Sequence, residues 1–394
     1  MKFPFDLPFL PEGCSIALLE SCGMKPGQCA EAWALAHPQL LREQSGQFLQ
    51  AGASALLAPT FGANRAALAP FGLEGQAEAL NAGLMALTKE CAGKLPAGGR
   101  VGPSGLFPPP AGEADFDAIY HGYREQVRAL ARAGAGFLLV EGQHSLADMR
   151  AALLAARSSG LPALVSLTVD EAGRTLSGAA LLPCLITLQA MGAAAVGLDR
   201  APLPVMEELL EEAAPHACVP LIARPSLTPG AAPEEFAAGV QRLAAAGALV
   251  LGAASGSAPA YTAALRAACP APAPLPEKGD CWAAASEQEA FFLGDDIRFS
   301  EPVPCSPGLA EDLIALEDGH ANVALVELET VDDAFLLAEQ GPQARLPIAI
   351  HSHSLPVLEA ALRYFQGRLI LDSESPFEEE ELTPLSVKYG AILY

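Results

Sequence analysis

Basic residues are scarce in this chain. Of its 394 residues, only 23 are Lys or Arg and 46 are Asp or Glu, which gives a formal net charge of -23 at pH 7. Binding to nucleic acid requires clustered Lys and Arg side chains that neutralise phosphates. Binding to an anionic membrane surface requires the same residues. The composition therefore argues against nucleic acids and membranes as partners.

The cysteines lack the pattern of a disulfide framework. There are nine of them, an odd number, and they are scattered without a repeat. The first six residues have no apolar core followed by a small-residue cleavage site, so they do not read as a signal peptide. We therefore expect reduced thiols and a cytoplasmic protein.

One long segment, residues 175–198, lacks charged residues and is long enough to span a bilayer. Pro183, Gln189 and several glycines interrupt it, and it divides naturally into a helix and a short strand. Burial inside a folded domain is the favoured interpretation.

What the chain does have is apolar surface, since 51% of its residues are hydrophobic. Its length predicts two domains, or one large barrel with an appendage. Short runs rich in Leu, Val and Ala, typical of strands buried on both faces, alternate with helical stretches such as 31–50, 115–133 and 233–246. The runs lie at 15–20, 54–59, 100–103, 136–141, 163–169, 194–199, 220–224 and 248–252. Eight strands with interleaved helices predict an α/β fold of the (β/α)8 TIM-barrel type; a doubly wound open sheet is the alternative.

A proline-rich segment ends this pattern, because residues 269–276 read Cys-Pro-Ala-Pro-Ala-Pro-Leu-Pro. We expect a barrel over 1–269, a linker over 270–279 and an incomplete β/α domain over 280–394. Five strands are too few to close a barrel, so a second copy or a partner protein is expected to complete this domain. The strands are predicted at 296–299, 323–328, 347–350, 369–371 and 391–393, and the helices at 307–317, 331–340, 355–365 and 378–388.

Four motifs follow predicted strands in the first region, and a fifth lies within the predicted helix 115–133. They are Pro-Thr-Phe-Gly-Ala-Asn-Arg at 59–65, Gly-Pro-Ser-Gly at 102–105, Tyr-Arg-Glu-Gln at 123–126, Val-Glu-Gly-Gln-His at 140–144 and Gly-Arg-Thr-Leu-Ser-Gly at 173–178. In order and spacing they resemble the homocysteine S-methyltransferase family, which includes the first module of cobalamin-dependent methionine synthase. The resemblance covers residues 11–268.

The resemblance implies a small-molecule site at the carboxyl ends of the strands. In the family an acidic residue at the position of Glu141 is thought to hold the amino group of homocysteine; a structural acceptor for backbone amides is the alternative role. The positions that correspond to substrate binding are Glu12, Thr60, Asn64, Glu141 and Arg200. Asn64 is expected mainly to fix its own loop, and no catalytic residue is identified.

The same resemblance implies a zinc ion held by three cysteines, which lowers the pKa of the substrate thiol. The corresponding positions are Arg200, Ala254 and Ser255. Because all three thiolates are replaced, we expect no metal and no other cofactor at this site. Cys14 lies near a strand end, but a buried thiol is favoured over a relocated ligand. Arg200 is predicted either to bind a substrate carboxylate or phosphate with Arg224, or to pair with Asp199 or Glu141.

The second region resembles the start of the pterin-binding barrel that follows in methionine synthase. The matching segments are 323–328, 346–352, 364–373 and 388–391. Only five strands of that barrel are present, so a folate site would be incomplete within one chain. Imidazoles and carboxylates at neighbouring strand ends suggest a metal site as a weaker hypothesis, with Glu327, His351, His353 and Asp372 as its ligands.

Two functions remain open from the sequence. One is a homocysteine methyltransferase-like enzyme that transfers a methyl group to a small thiol or another nucleophile without the family zinc. The other is a non-catalytic subunit that binds a ligand or a partner protein in a methyl-transfer system, with a folate or corrinoid as a conceivable methyl donor.

Overall fold

The computed structural model describes residues 3–108, 112–227, 230–254, 258–269 and 281–394. Within these residues, eight parallel strands pair in sequential order. They are β1 (Pro11–Glu12), β2 (Ala55–Ala58), β3 (Ala97–Val101), β4 (Phe137–Gln143), β5 (Ala163–Thr168), β6 (Ala195–Asp199), β7 (Leu221–Arg224) and β8 (Ala248–Leu251).

Phe9 closes this sheet. Its amide donates to the carbonyl of Leu249 at 2.9 Å, and the amide of Leu251 donates to the carbonyl of Phe9 at 2.9 Å. The two bonds join the segment before β1 to β8, so the predicted (β/α)8 barrel is confirmed.

Helices cover the outside of the barrel because each presents apolar residues at helical spacing. In α6, for example, Ile119, Tyr123, Val127 and Leu130 are all buried. The helices are α1 (Ile16–Ser21), α2 (Ala30–Ala36), α3 (Pro38–Gln50), α4 (Arg65–Leu68), α5 (Ala77–Ala92), α6 (Phe116–Arg132), α7 (Leu146–Ser158), α8 (Leu181–Ala190), α9 (Leu203–Ala213), α10 (Pro233–Ala245) and α11 (Pro259–Ala268).

Two local predictions in this region are wrong. The segment 15–20 is not a strand: Ser15 accepts a hydrogen bond from the Leu18 amide and begins α1, while the first strand lies earlier, at Pro11–Glu12. The helix predicted over 31–50 is two helices, because Pro38 removes a helical amide donor and begins α3.

The uncharged segment 175–198 divides into α8 and β6, as the sequence predicted. In the described part of the chain, no helix is both long enough and apolar enough to cross a membrane.

The second region contains a hairpin and a parallel sheet. In the described residues the hairpin comprises β9 (Ala283–Ala285) and β10 (Ala290–Phe292), and the sheet has the order β11-β12-β13-β14-β15. The sheet strands are β11 (Val303–Pro304), β12 (Ala324–Glu327), β13 (Ile348–His351), β14 (Ile370–Leu371) and β15 (Ile392–Leu393). The helices are α12 (Leu309–Ala315), α13 (Val331–Gln340), α14 (Leu355–Tyr364) and α15 (Glu379–Tyr389).

Four of the five strands predicted here are confirmed. The remaining prediction, a first strand at 296–299, is wrong. This segment makes only one bridge, from Phe299 to Val323, and the strand at this edge of the sheet is β11. The predicted linker 270–279 lies outside the described residues, and completion of the sheet by a partner remains a prediction.

Two arginines of α7 join the barrel to the second region. Arg150 is fully buried, and its guanidinium donates to the carbonyls of Leu362 and Phe365, both at 2.5 Å, at the end of α14. Arg157 donates to the carbonyls of Val387 and Lys388, both at 2.8 Å, at the end of α15. The last carbonyls of a helix have no partner within the helix and carry partial negative charge. A cation from the barrel therefore caps each helix.

Replacement of Arg150 by Met should destabilise the protein by about 3 kcal/mol, because buried carbonyls would lose a charged donor. Urea unfolding followed by circular dichroism measures this change. Arg132→Met is the matched control, since Arg132 forms an exposed ion pair with Glu78 and exposed pairs contribute little. Equal unfolding midpoints for the two variants would contradict the proposed role of Arg150.

A candidate ligand site at the mouth of the barrel

A cavity of about 360 Å³ opens at the carboxyl ends of the barrel strands. Sites of barrels of this type form at this face, because the loops that follow the strands meet there. The side chains that matter for its chemistry are Phe61, Arg100, Glu141, His144, Arg200 and Ala254.

Charged side chains crowd this end of the barrel interior. Three are acidic and three are arginines: Glu12, Glu141, Asp199, Arg100, Arg200 and Arg224. All except Arg200 are at least 95% buried. Buried charges are retained only when they are paired or hydrogen-bonded. The partners of each group therefore decide which of them a ligand can use.

Arg100 and Glu141 form the central ion pair. The Arg100 Nε atom lies 3.0 Å from Glu141 Oε1, and the two side chains are 4% and 1% exposed. Burial lowers the pKa of Arg100, and the Glu141 carboxylate opposes this effect. Glu141 Oε2 is buried as well and has no hydrogen-bond partner among the described residues. Glu141 therefore retains an acceptor for a further donor.

Arg224 serves the scaffold. Its Nη1 donates to the carbonyl of Pro11 and its Nη2 to the carbonyl of Ala253, both at 2.8 Å. A Cβ atom at Gly252 would lie 3.0 Å from Glu12 Oε1 and 3.5 Å from Arg224 Cζ, so glycine admits these groups. Both Nη atoms are engaged by main chain, which does not favour a role for Arg224 in binding an anion.

Asp199, at the end of β6, is satisfied by its neighbours. Oδ2 accepts from the Gly142 amide at 2.6 Å and from Ser166 Oγ at 2.7 Å. Oδ1 accepts from Thr168 Oγ1 at 2.6 Å. The carboxylate fixes the ends of three strands and does not depend on Arg200 for its stability.

Arg200 has a positive φ of 56°, a conformation that a residue with a side chain adopts only at a cost. Its amide donates to the carbonyl of Arg224 at 3.0 Å, which holds this backbone in place. The guanidinium lies 5.0 Å from the centre of the Phe61 ring and 3.6 Å from Asp199 Oδ1. A Cβ atom at Gly142 would overlap it, so glycine is required there.

The predicted pairing of Arg200 with Asp199 is thus present, but it is long. Among the described residues no acceptor forms a hydrogen bond with the Arg200 guanidinium, and the side chain is 27% exposed. A cation with available donors therefore lies in the cavity wall.

Other residues expected to bind substrate hold loops instead. Thr60 Oγ1 donates to the Arg100 carbonyl at 2.8 Å and accepts from the Arg100 amide at 3.0 Å. Asn64 Oδ1 accepts from the Ala67 amide at 2.8 Å and begins α4. Glu12 is fully buried beneath Gly252. These three residues lie outside the cavity lining and support the backbone around it.

The positions that the resemblance assigns to zinc ligands carry side chains that do not suit zinc. Arg200 provides a guanidinium and Ala254 a methyl group, while Ser255 lies outside the described residues. Within the described ranges, no three His, Cys, Asp or Glu side chains are grouped as metal ligands. Cys14 packs against Leu19 and Leu84 of the helical layer, and burial raises the pKa of its thiol to about 12.

Sequence reasoning missed Arg100 and the role of Asp199. A charged residue within a run of strand residues was the available signal for Arg100. Its partner Glu141 is on the neighbouring strand, and only the pairing of β3 with β4 brings them together.

In the second region the structure brings His351 and Asp372 together, with His351 Nδ1 2.8 Å from Asp372 Oδ2. Glu327 lies beside His351 in register, and the rings of His351 and His353 are 5.3 Å apart. These four residues are not grouped as a metal site among the described side chains. The metal hypothesis therefore gains no support from this geometry.

Comparison with known proteins identifies the family. The family model for homocysteine S-methyltransferase matches residues 13–269, about two thirds of the chain. This chain belongs to the homocysteine S-methyltransferase family. The match ends where the barrel ends, so it is the barrel that defines membership.

Relatives include methionine synthases of two mycobacteria. The Mycobacterium tuberculosis protein is 24% identical over 400 residues, which cover 88% of this chain and 33% of the synthase. The Mycobacterium leprae protein is 25% identical over 212 residues, which cover 50% of this chain and 18% of the synthase. This family member therefore spans a third or less of the length of these synthases.

Solved structures support the fold of this family member. The homocysteine methyltransferase MmuM from Escherichia coli superposes with a TM-score of 0.59 in both its oxidized and its metallated forms, at 24% identity. The superposition covers 66% of this chain and 95% or 96% of MmuM.

Cys14 should be unreactive in the native protein, because its thiol is buried and a pKa of about 12 leaves almost no thiolate at pH 8. Alkylation with iodoacetamide followed by peptide mass spectrometry measures this. Cys22 is half-buried and serves as the internal control. Alkylation of Cys14 as fast as Cys22 would contradict the buried position.

Proposed function

We propose that this protein binds a small α-amino acid at the mouth of its barrel and does so without the zinc chemistry expected of its family. The observation that carries this proposal is the Glu141 carboxylate. One of its oxygens pairs with Arg100, and the other is a buried acceptor that no described residue satisfies. Such an acceptor is costly unless a donor reaches it. The ammonium group of an amino acid is a donor of the right charge.

The cation of the site supports the same ligand class. Arg200 is next to Gly142, the residue that follows Glu141, so a cation and an anion lie close together in one cavity. An α-amino acid carries an ammonium and a carboxylate on one carbon. Guanidinium groups bind carboxylates through paired hydrogen bonds. The charge pattern of the cavity therefore matches a zwitterion.

Zinc does not enter this proposal. The family route lowers the pKa of a substrate thiol by coordination, and the residues at Arg200 and Ala254 offer no thiolate. A guanidinium binds anions but is not a Lewis acid that coordinates sulfur. We therefore favour a binding role, which suits a subunit of a methyl-transfer system, over methylation of homocysteine by the family route.

Methyl transfer without zinc is the second candidate function. His144 lines the same cavity as Glu141 and carries an imidazole that can accept a proton from a nucleophile. An assay for methylated amino acid in the presence of methyl donors tests it. Turnover that is lost in His144→Gln would favour this function over simple binding.

Replacement of Glu141 by Gln should weaken amino-acid binding at least about tenfold, because a neutral amide loses the charge-assisted bond to an ammonium group. Calorimetric titration with L-methionine, L-homocysteine and L-glutamate measures the effect. Glu125→Gln is the matched control, since Glu125 pairs with Arg65 on the surface.

Two measurements on the unaltered protein protect this test against misfolding of the variant. The first titrates 4-(methylthio)butanoate, which is methionine without its amino group and should bind far more weakly than methionine. The second determines zinc by mass spectrometry in protein purified without a His tag, and we expect far less than one zinc per chain. Stoichiometric zinc, or the absence of binding by all three amino acids at millimolar concentration, would refute the proposal.

A further inference from the structure

Two guanidinium groups, rather than one, face the cavity at the mouth. Arg100 and Arg200 both line it. Arg224 is fully buried, and both of its Nη atoms donate to main-chain carbonyls, so it is not counted among the guanidinium groups that face the cavity. A ligand with a single carboxylate would leave one of the two lining cations without an anion from the ligand.

Arg100 is only partly used by the protein. Its Nε lies against Glu141 Oε1 at 3.0 Å, and its Nη1 donates to the carbonyl of Cys14 at 3.1 Å. Among the described residues, no acceptor is bonded to its Nη2. Arginine stays protonated in proteins, so this nitrogen is a permanent donor at the wall of the cavity.

Arg200 is held as a donor by its surroundings. The left-handed backbone, the Phe61 ring on one side and the space above Gly142 on the other fix the position of the guanidinium. Asp199 lies 3.6 Å from the guanidinium without a hydrogen bond to it, because that carboxylate accepts three shorter hydrogen bonds from Gly142, Ser166 and Thr168. Strained conformations of this kind persist where the surrounding structure enforces them and are frequent at ligand sites.

We propose that the amino acid bound at the mouth has an anionic side chain, as glutamate and aspartate do. Its ammonium group meets Glu141, and its two carboxylates meet the guanidinium groups of Arg100 and Arg200. This inference rests on the proposed function, since it names the class of amino acid that the same cavity takes.

The charge of the whole chain does not decide against such a ligand. A formal charge of -23 repels anions at a distance, but at physiological ionic strength the field is screened over about 8 Å. Within the cavity the nearest groups determine the interaction. Among the lining side chains, Arg100 and Arg200 are cationic and Glu141 is anionic, while Asp199, 3.6 Å from Arg200, offsets part of the positive charge from behind the lining.

The test compares each acidic amino acid with its uncharged amide of nearly the same shape. Titration calorimetry on the full chain with L-glutamate and L-glutamine, and with L-aspartate and L-asparagine, should show the acids binding at least about tenfold more tightly. This comparison uses the unaltered protein, so it does not depend on the folding of any variant.

A substitution then assigns the preference to Arg200. Arg200→Gln should abolish most of the difference between glutamate and glutamine, measured as the ratio of their two dissociation constants, even though glutamine also loses affinity when the site loses a guanidinium group. Arg65→Gln should retain the full difference, because Arg65 pairs with Glu125 outside the mouth cavity.

The outcomes separate this inference from the proposed function. If glutamine and asparagine bind as tightly as the acids, or if Arg200→Gln keeps the preference, the inference of an anionic side chain is wrong. The proposed amino-acid site is unaffected by that outcome. If none of the four amino acids binds, the proposed function fails and this inference fails with it.

Discussion

The ion pair between Arg100 and Glu141 is the constraint around which the mouth of the barrel is organised. Both side chains are almost completely buried, and removal of either partner would leave an uncompensated charge at a cost of about 3–5 kcal/mol. The pair links β3 to β4 through the barrel interior. Because the pair occupies one oxygen of Glu141, it leaves the other as a buried acceptor that no described residue satisfies.

At Arg200 this barrel presents a guanidinium at a position where the resemblance to the family implies a zinc-binding thiolate. A metal centre made of thiolates depends on metal supply and on the protonation of its ligands. A guanidinium depends on neither, since it remains charged across the physiological pH range. It is also directional, because its planar donors suit carboxylates and do not suit a thiol. The strands and turns that present it are those of the homocysteine S-methyltransferase family, whereas the group presented selects a different kind of partner atom.

Sequence patterns predicted β2 to β8 because each is a short apolar run buried on both faces. These patterns failed at the first strand, because a strand of two residues is too short to show an apolar run. The apolar residues that follow belong to a helix, since Ser15 caps its first turn. Motif positions located Glu141 and Arg200, but they did not predict the hydrogen-bonding state of these two side chains in the folded chain. That state depends on hydrogen bonds to Asp199 from two other strands, β4 and β5, and on the space above Gly142, neither of which is encoded in local sequence. The caps at Arg150 and Arg157 likewise join residues about 200 positions apart.

Those two caps have a consequence for the modularity of the chain. The proline-rich segment marks a boundary in composition, yet α14 and α15 obtain the donors for their last carbonyls from a helix of the barrel. A fragment that begins after that segment would therefore carry two incompletely bonded helix ends. The barrel alone would expose Arg150, which is fully buried in the whole chain, and would leave Arg157, which is half-buried, without these acceptors. The second region therefore obtains two of its helix caps from α7, the helix that follows the strand carrying Glu141.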